Sequence, residues 1–288
     1  LPLLDAKLAK IRQWLSAPDP STNYQKALKK RQADTGLWLL EGKQYVKWKT
    51  EDNASPLWLY GIPGCGKTIL SSTVLHNVLQ HCDSDPGKVV AYFYFDFNDK
   101  QKQEPELMLR SLICQLSQQC VKIPPSLDTL FSSCENGQRQ PSQDALLEVI
   151  QHMIQDFPQP YVVIDALDEC GQLTELLDIL KTIAQLQNLH LLVTSRKERQ
   201  IESSLERFVD SQNAICLQSE LVDKDIQRYV RQRLANDESL KKWQKDPTVS
   251  QEIETALMEG ARGMYLISSI SRNLMLTMII GFDGLFAS

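Results

Sequence analysis

The residues best equipped for chemistry form one short string. Gly61-Ile62-Pro63-Gly64-Cys65-Gly66-Lys67-Thr68 follows the pattern G-x-x-x-x-G-K-[ST]. Each residue type has a physical task in holding phosphate. Glycines at 61, 64 and 66 allow backbone shapes and close approaches that a Cβ would block. The amides from Gly61 through Ile62, Pro63, Gly64, Cys65 and Gly66 to Thr68 (proline contributing none) then turn toward a phosphate, helped by the positive end of the following helix. Lys67 would neutralise β- and γ-phosphate oxygens, and the Thr68 hydroxyl would serve Mg²⁺. The alternative is a glycine-rich turn without a ligand. The apolar string Leu57–Tyr60 running into the loop and the amphipathic stretch leaving it favour the phosphate reading.

Two more polar sets stand at the ends of apolar strings. Tyr161-Val162-Val163-Ile164 runs into Asp165, with the small Ala166 next and the acids Asp168 and Glu169 beyond. Strand C-termini line the ligand crevice of a parallel sheet, so Asp165 is expected near Mg²⁺, through a water. Asp168 or Glu169 would orient or deprotonate an attacking water, Glu169 being slightly favoured. Their plain alternative is to cap the next helix. Leu191-Leu192-Val193 likewise ends in Thr194-Ser195-Arg196, and the Arg196 fork suits a γ-phosphate. A solvated arginine in a charged stretch is the alternative there.

These groups need elements to position them. Apolar runs at 57–60, 89–97, 161–165, 190–194 and 214–217 read as strands. Between them 69–82, 104–119, 144–156 and 174–186 read as helices. Alternating strands and helices imply a mainly parallel sheet covered on both faces, a three-layer α/β/α fold. Residues 1–50 form a helical lead-in. Leu4, Leu8, Ile11 and Leu15 recur at helical spacing, Ser21 is placed to cap a second helix, and an aromatic segment spans 37–48. The expected domains are 1–50, a nucleotide-binding core at 51–220, and a helical extension at 221–288. From Val222 onward only helices are expected.

The chain has 288 residues and a formal charge of −5, which argues against a nucleic-acid partner. Its seven cysteines are odd in number, scattered and without a C-x-x-C pair, the pattern of reduced intracellular thiols. The apolar stretch 274–282 is too short to span a bilayer, and no signal peptide is visible at Leu1. A cytoplasmic protein with no membrane partner is expected. No N-K-x-D or T-K-x-D string occurs, which favours adenine over guanine without excluding GTP.

Several strings taken together resemble the NACHT branch of the signalling STAND P-loop NTPases. They match in particular the N-terminal region of nephrocystin-3 as it occurs in fungal NOD-like receptors. The strings are W-L-S-A-P-D-P-S-T-N-Y-Q-K-A-L (14–28), T-G-L-W-L-L (35–40), the phosphate loop, A-Y-F-Y-F-D-F-N-D (91–99), L-R-S-L-I-C-Q-L (109–116), V-I-D-A-L-D-E-C (163–170) and L-L-V-T-S-R (191–196). The resemblance implies a five-stranded sheet in the order 5-1-4-3-2, with Thr194 and Arg196 beside the phosphate loop. It implies a switch in which ADP holds a resting form and ATP drives self-association, with slow hydrolysis, in non-self recognition and cell death (heterokaryon incompatibility, innate immunity). It also places Thr35 to Trp38 near the adenine, against an equal alternative of an aromatic core segment. Effector and repeat domains of such receptors are absent from this chain, and 266–288 departs from the family pattern. Two other readings stay open: a turnover ATPase or small-molecule kinase, and a catalytically silent scaffold fragment.

Overall fold

The computed structural model describes residues 2–52, 55–217, 220–236, 248 and 251–255. Helices α1 (Pro2–Leu15), α2 (Ser21–Lys30), α3 (Leu37–Leu40) and α4 (Lys43–Thr50) come first. They are followed by β1 (Leu57–Tyr60), α5 (Lys67–Cys82), β2 (Lys88–Tyr94), α6 (Pro105–Gln119), α7 (Pro125–Ser133) and α8 (Gln143–Gln155). Then come β3 (Gln159–Asp165), α9 (Leu173–Ile183), β4 (His190–Ser195), α10 (Arg199–Leu205), β5 (Ala214–Cys216) and α11 (Glu220–Asn236).

The strands form one five-stranded sheet in the order β2-β3-β4-β1-β5, with every pairing parallel. Read from the other edge this is 5-1-4-3-2, as the family resemblance implies. Strand β4 therefore sits between β1 and β3. Its register sets Tyr60 beside Ser195 and Ile164 beside Val193, so the C-terminal ends of the three strands form one edge.

Side chains alternate across the sheet with the two-residue period of a strand. Ala91, Phe93, Val162, Ile164, Leu191 and Val193 point to a core shared with α1, α6, α7, α8, α9 and α10. Leu57, Leu59, Val90, Tyr161, Val163 and Leu192 point to the opposite core, shared with α3, α4, α5 and α11. Burial on both faces explains why these strands read as unbroken apolar runs. The N-terminal helices are divided between the two faces. Ile11, Trp14 and Leu15 of α1 enter the first core, while Leu39, Tyr45 and Trp48 of α3 and α4 enter the second.

Several boundaries differ from the sequence expectation. Strand β2 stops at Tyr94 although apolar residues run on to Phe97. Its neighbour β3 ends at Asp165, and Ala166 turns into the left-handed region at φ 59°, so the ladder has no partner beyond the Phe95 amide. The aromatic segment 37–48 is two helices, because the chain turns extended at Gly42 (ψ 137°). Ser21 does not cap α2. Asp19 accepts hydrogen bonds from both its amide (2.8 Å) and its hydroxyl (2.9 Å). Helices α7 and α10 are short, 9 and 7 residues, and were not among the expected helices, although their few apolar residues stand at helical spacing. Packing of Leu127, Leu130 and Phe131, and of Ile201 and Leu205, stabilises them. The expected helical end of the chain is described only through α11 and a few later positions; 237–247 and 256–288 lie outside the described residues.

Trp48 ties the N-terminal helices to the sheet. It is 1% exposed, packs edge-on to Tyr161 and His190, and its indole N–H donates to the Leu191 carbonyl at 3.0 Å. Trp48→Ala is expected to lower unfolding free energy by about 3–5 kcal/mol, read as a lower urea midpoint at constant slope. A loss below about 1 kcal/mol would show that these helices stand outside the cooperative unit.

Candidate functional site

The phosphate loop connects β1 to α5 at the C-terminal edge of the sheet. Gly64 (φ 76°) and Gly66 (φ 92°) occupy the left-handed region, where a side chain would strain the backbone. At Gly61 the constraint is space: an added Cβ would meet Cys65 Sγ at 2.6 Å and Leu217 at 3.2 Å. The Gly61 amide donates to the Ser195 carbonyl (3.3 Å), and the Leu217 amide to the Tyr60 carbonyl (2.7 Å), so β4 and β5 hold the loop from both sides. Cys65 is buried beneath the loop, its thiol pushed up by burial, while Pro63 stands exposed at the crest. The Lys67 ammonium donates to the carbonyls of Gly61 (2.9 Å) and Ile62 (3.0 Å). These contacts hold the charge against the loop's own backbone.

Thr68 is exposed, and its hydroxyl donates to Asp165 Oδ2 at 2.7 Å. The other oxygen, Oδ1, accepts from the Thr194 hydroxyl, also at 2.7 Å, and that hydroxyl in turn accepts from the Ala166 amide (2.9 Å). Asp165 is 1% exposed and no ion pair engages it among the described residues. Burial raises its pKa; the hydroxyls of Thr194, Thr68 and Ser71 and the charge of Lys67 oppose that rise. Two hard oxygen donors, one on α5 and one on β3, thus converge beside a lysine. A hydroxyl and a buried carboxylate lacking an ionic partner fit a small divalent cation, which takes oxygen ligands.

The two following acids do not cap α9, whose N-cap position falls on Gln172 without a side-chain cap. They lie in a 3₁₀ turn, Leu167–Glu169, and each reaches across to another strand end. Asp168 Oδ1 accepts from the Arg196 amide (2.8 Å), and Oδ2 pairs with Arg196 Nε (2.9 Å). Glu169 accepts from the Phe97 amide at 3.0 Å. Burial raises the Glu169 pKa, with the charges of Asp168, Asp165 and Asp96 adding to it and the Phe97 amide opposing. All the sequence-selected groups therefore stand at one edge of the sheet. Thr68 joins Asp165, Asp168 joins Arg196, and Glu169 faces the β2 loop.

Other contacts at this end were not legible in the sequence. The resemblance sets Thr194 beside the phosphate loop, but its clamp on Asp165, 29 positions away, had no signal in the sequence. Asp225 of α11 is buried and accepts from the Gly36 amide (2.6 Å) and the Trp38 indole (3.0 Å), positions 189 and 187 residues away. An added Cβ at Gly36 would meet Leu70 of α5 at 2.9 Å, so the Thr35–Trp38 segment lies against the first turns of α5. No sequence signal pairs residues so far apart.

Asp165→Asn is expected to be more stable than the wild type at neutral pH, with the gap closing in acid. A carboxyl whose folded-state pKa is raised favours folding when protonated. Wild-type stability from this group is greatest below about pH 4 and declines as pH rises through the folded-state value. Asparagine does not titrate. Unfolding titrations across this range check the slope, and a pH-independent gap would contradict the burial argument.

The family model described as Nephrocystin 3, N-terminal matches residues 34–196. Vegetative incompatibility protein HET-E-1 of Podospora anserina is 25% identical over 244 residues, which is 81% of this chain but 17% of that protein. Among solved structures, a DNA replication initiation factor aligns over 90% of this chain and 66% of its own, with 13% identity and a TM-score of 0.44. The Aeropyrum pernix ORC1 protein in complex with DNA aligns over 90% and 65%, with 14% identity and a TM-score of 0.41. Overlaps this loose carry no argument about partners. The family match covers more than half of the chain: the protein belongs to the nephrocystin 3 N-terminal family of NACHT-type, P-loop NTPase-like nucleotide-binding domains.

Proposed function

We propose that this chain is a cytoplasmic switch domain that binds ATP or ADP with Mg²⁺, hydrolyses ATP slowly and self-associates in the ATP-bound form. The observation that carries the reading is the Thr68–Asp165 contact at the foot of the phosphate loop. It joins the hydroxyl that follows the loop lysine to a buried strand-end carboxylate, the pair a phosphate-bound cation needs. Thr68 and Asp165 would hold Mg²⁺, which supplies charge neutralisation between phosphate oxygens when bound. The loop amides from Gly61 to Thr68 would cradle the β-phosphate, and Lys67 would leave the Gly61 and Ile62 carbonyls for phosphate oxygens.

Glu169 is the acid that would take a proton from the attacking water. Burial and its acidic neighbours raise its pKa, the direction that makes a carboxylate a stronger base. The Phe97 amide holds one of its oxygens and leaves the other for the water. Thr35 to Trp38, lying against α5, would border the nucleotide base. Family membership and the 25% identity to the vegetative incompatibility protein HET-E-1 support self-association and a role beside further domains.

The test is to denature purified protein, identify released nucleotide by chromatography, and then titrate ATP, ADP and GTP with Mg²⁺. Lys67→Ala is expected to weaken ATP binding about a hundredfold and to abolish the ATP-dependent increase in sedimentation coefficient. Wild-type protein that binds no nucleotide would end the proposal. Equal sedimentation of both proteins with ATP would remove the switch and leave only binding.

A further inference from the structure

The contacts of Asp168 and Arg196 set two roles apart that the sequence left merged. Both oxygens of Asp168 are committed to one residue, one to the Arg196 amide and one to its Nε. The Asp168 side chain is 3% exposed, while that of Arg196 is 46% exposed. A carboxylate so enclosed is poorly placed to meet a water in the crevice. It is well placed to fix the direction of the arginine.

The geometry points to Asp168 as a positioning residue that presents Arg196 to the terminal phosphate and so sets the preference for ATP over ADP. This rests on the reading of the crevice as a nucleotide site. A guanidinium has a fork of donors in one plane. Asp168 holds it from the Nε side, and no hydrogen bond among the described residues engages the two terminal nitrogens. Those nitrogens are the pair that meets phosphate oxygens side by side. An exposed arginine loses rotamer freedom when it binds, and a partner that orders it beforehand lowers that cost. The adjacent cation is directed elsewhere: Lys197 pairs with Glu202 at 2.8 Å and lies over the Tyr60 ring. Arg196 also sits where selectivity must arise. It follows the last residue of β4, Ser195, which is in register with Tyr60 at the entry to the phosphate loop.

Asp168→Asn separates the two contacts. It keeps an oxygen for the Arg196 amide, and so the turn, but removes the charge that orients Nε. Arg196→Lys is the converse: the backbone amide still meets Asp168, and the cation survives without the fork. Competition binding of ATP and ADP with Mg²⁺ is measured for wild type, each variant, Arg196→Ala and the Asp168→Asn/Arg196→Ala double variant. Thermal midpoints serve as the check on folding. Asp168→Asn and Arg196→Lys are each expected to lower the ATP-to-ADP affinity ratio about tenfold, and the double variant to match Arg196→Ala. A merely structural Asp168 would weaken both nucleotides alike and leave the ratio intact. That result, additive losses in the double variant, or a wild-type ratio in Arg196→Lys would each overturn the inference. A wild type that binds neither nucleotide would instead remove the proposed function on which it rests.

Discussion

A carboxylate removed from water is costly unless hydrogen bonds or an opposite charge replace its hydration. At Asp165 the replacement is a pair of hydroxyls, Thr68 on the first turn of α5 and Thr194 at the end of β4, both at 2.7 Å. The hydroxyls satisfy the oxygens without cancelling the charge, and the raised pKa is the sign of that incomplete compensation. The geometry of the crevice depends on this one group. It binds the start of the phosphate-loop helix to β3, aligns β4 through Thr194, and through the Thr194–Ala166 bond fixes the turn that carries Asp168 and Glu169.

The sheet order makes this convergence possible. With β4 inserted between β1 and β3, the phosphate loop, the acidic turn and the Thr194–Arg196 segment all leave the same edge within neighbouring strands. Parallel pairing directs every one of those ends the same way. The acids then divide between neighbours: Asp168 secures the β4 end, while Glu169 secures the β2 end through Phe97. The two adjacent acids thus contact different strand termini.

The helical elements outside the sheet are tied to the same region. Trp48 anchors α4 to β4, and Asp225 on α11 holds Gly36 and Trp38 against α5. Burial raises the Asp225 pKa, opposed by the Gly36 amide, the Trp38 indole and neighbouring arginines. The segment before the phosphate loop is therefore positioned by a residue that follows the sheet.

The sequence by itself determined the strands, because burial on both faces leaves unbroken apolar runs, and the phosphate loop, because glycine, lysine and threonine at fixed offsets act within a single turn. It determined Asp165 and Arg196 as strand-end groups for the same local reason. Family resemblance, not periodicity, supplied the order 5-1-4-3-2. Tertiary structure alone decided what each polar group touches. Asp168 and Glu169 are adjacent in sequence and look equivalent, yet one is enclosed against Arg196 and the other turned to Phe97. Phe97 read as strand, but β3 ends at Asp165 and leaves it no ladder to join. The Asp225 contact to Gly36 spans 189 positions. Local patterns encode period and turn geometry within a few residues, whereas these partners meet only after the sheet has closed the distance between them.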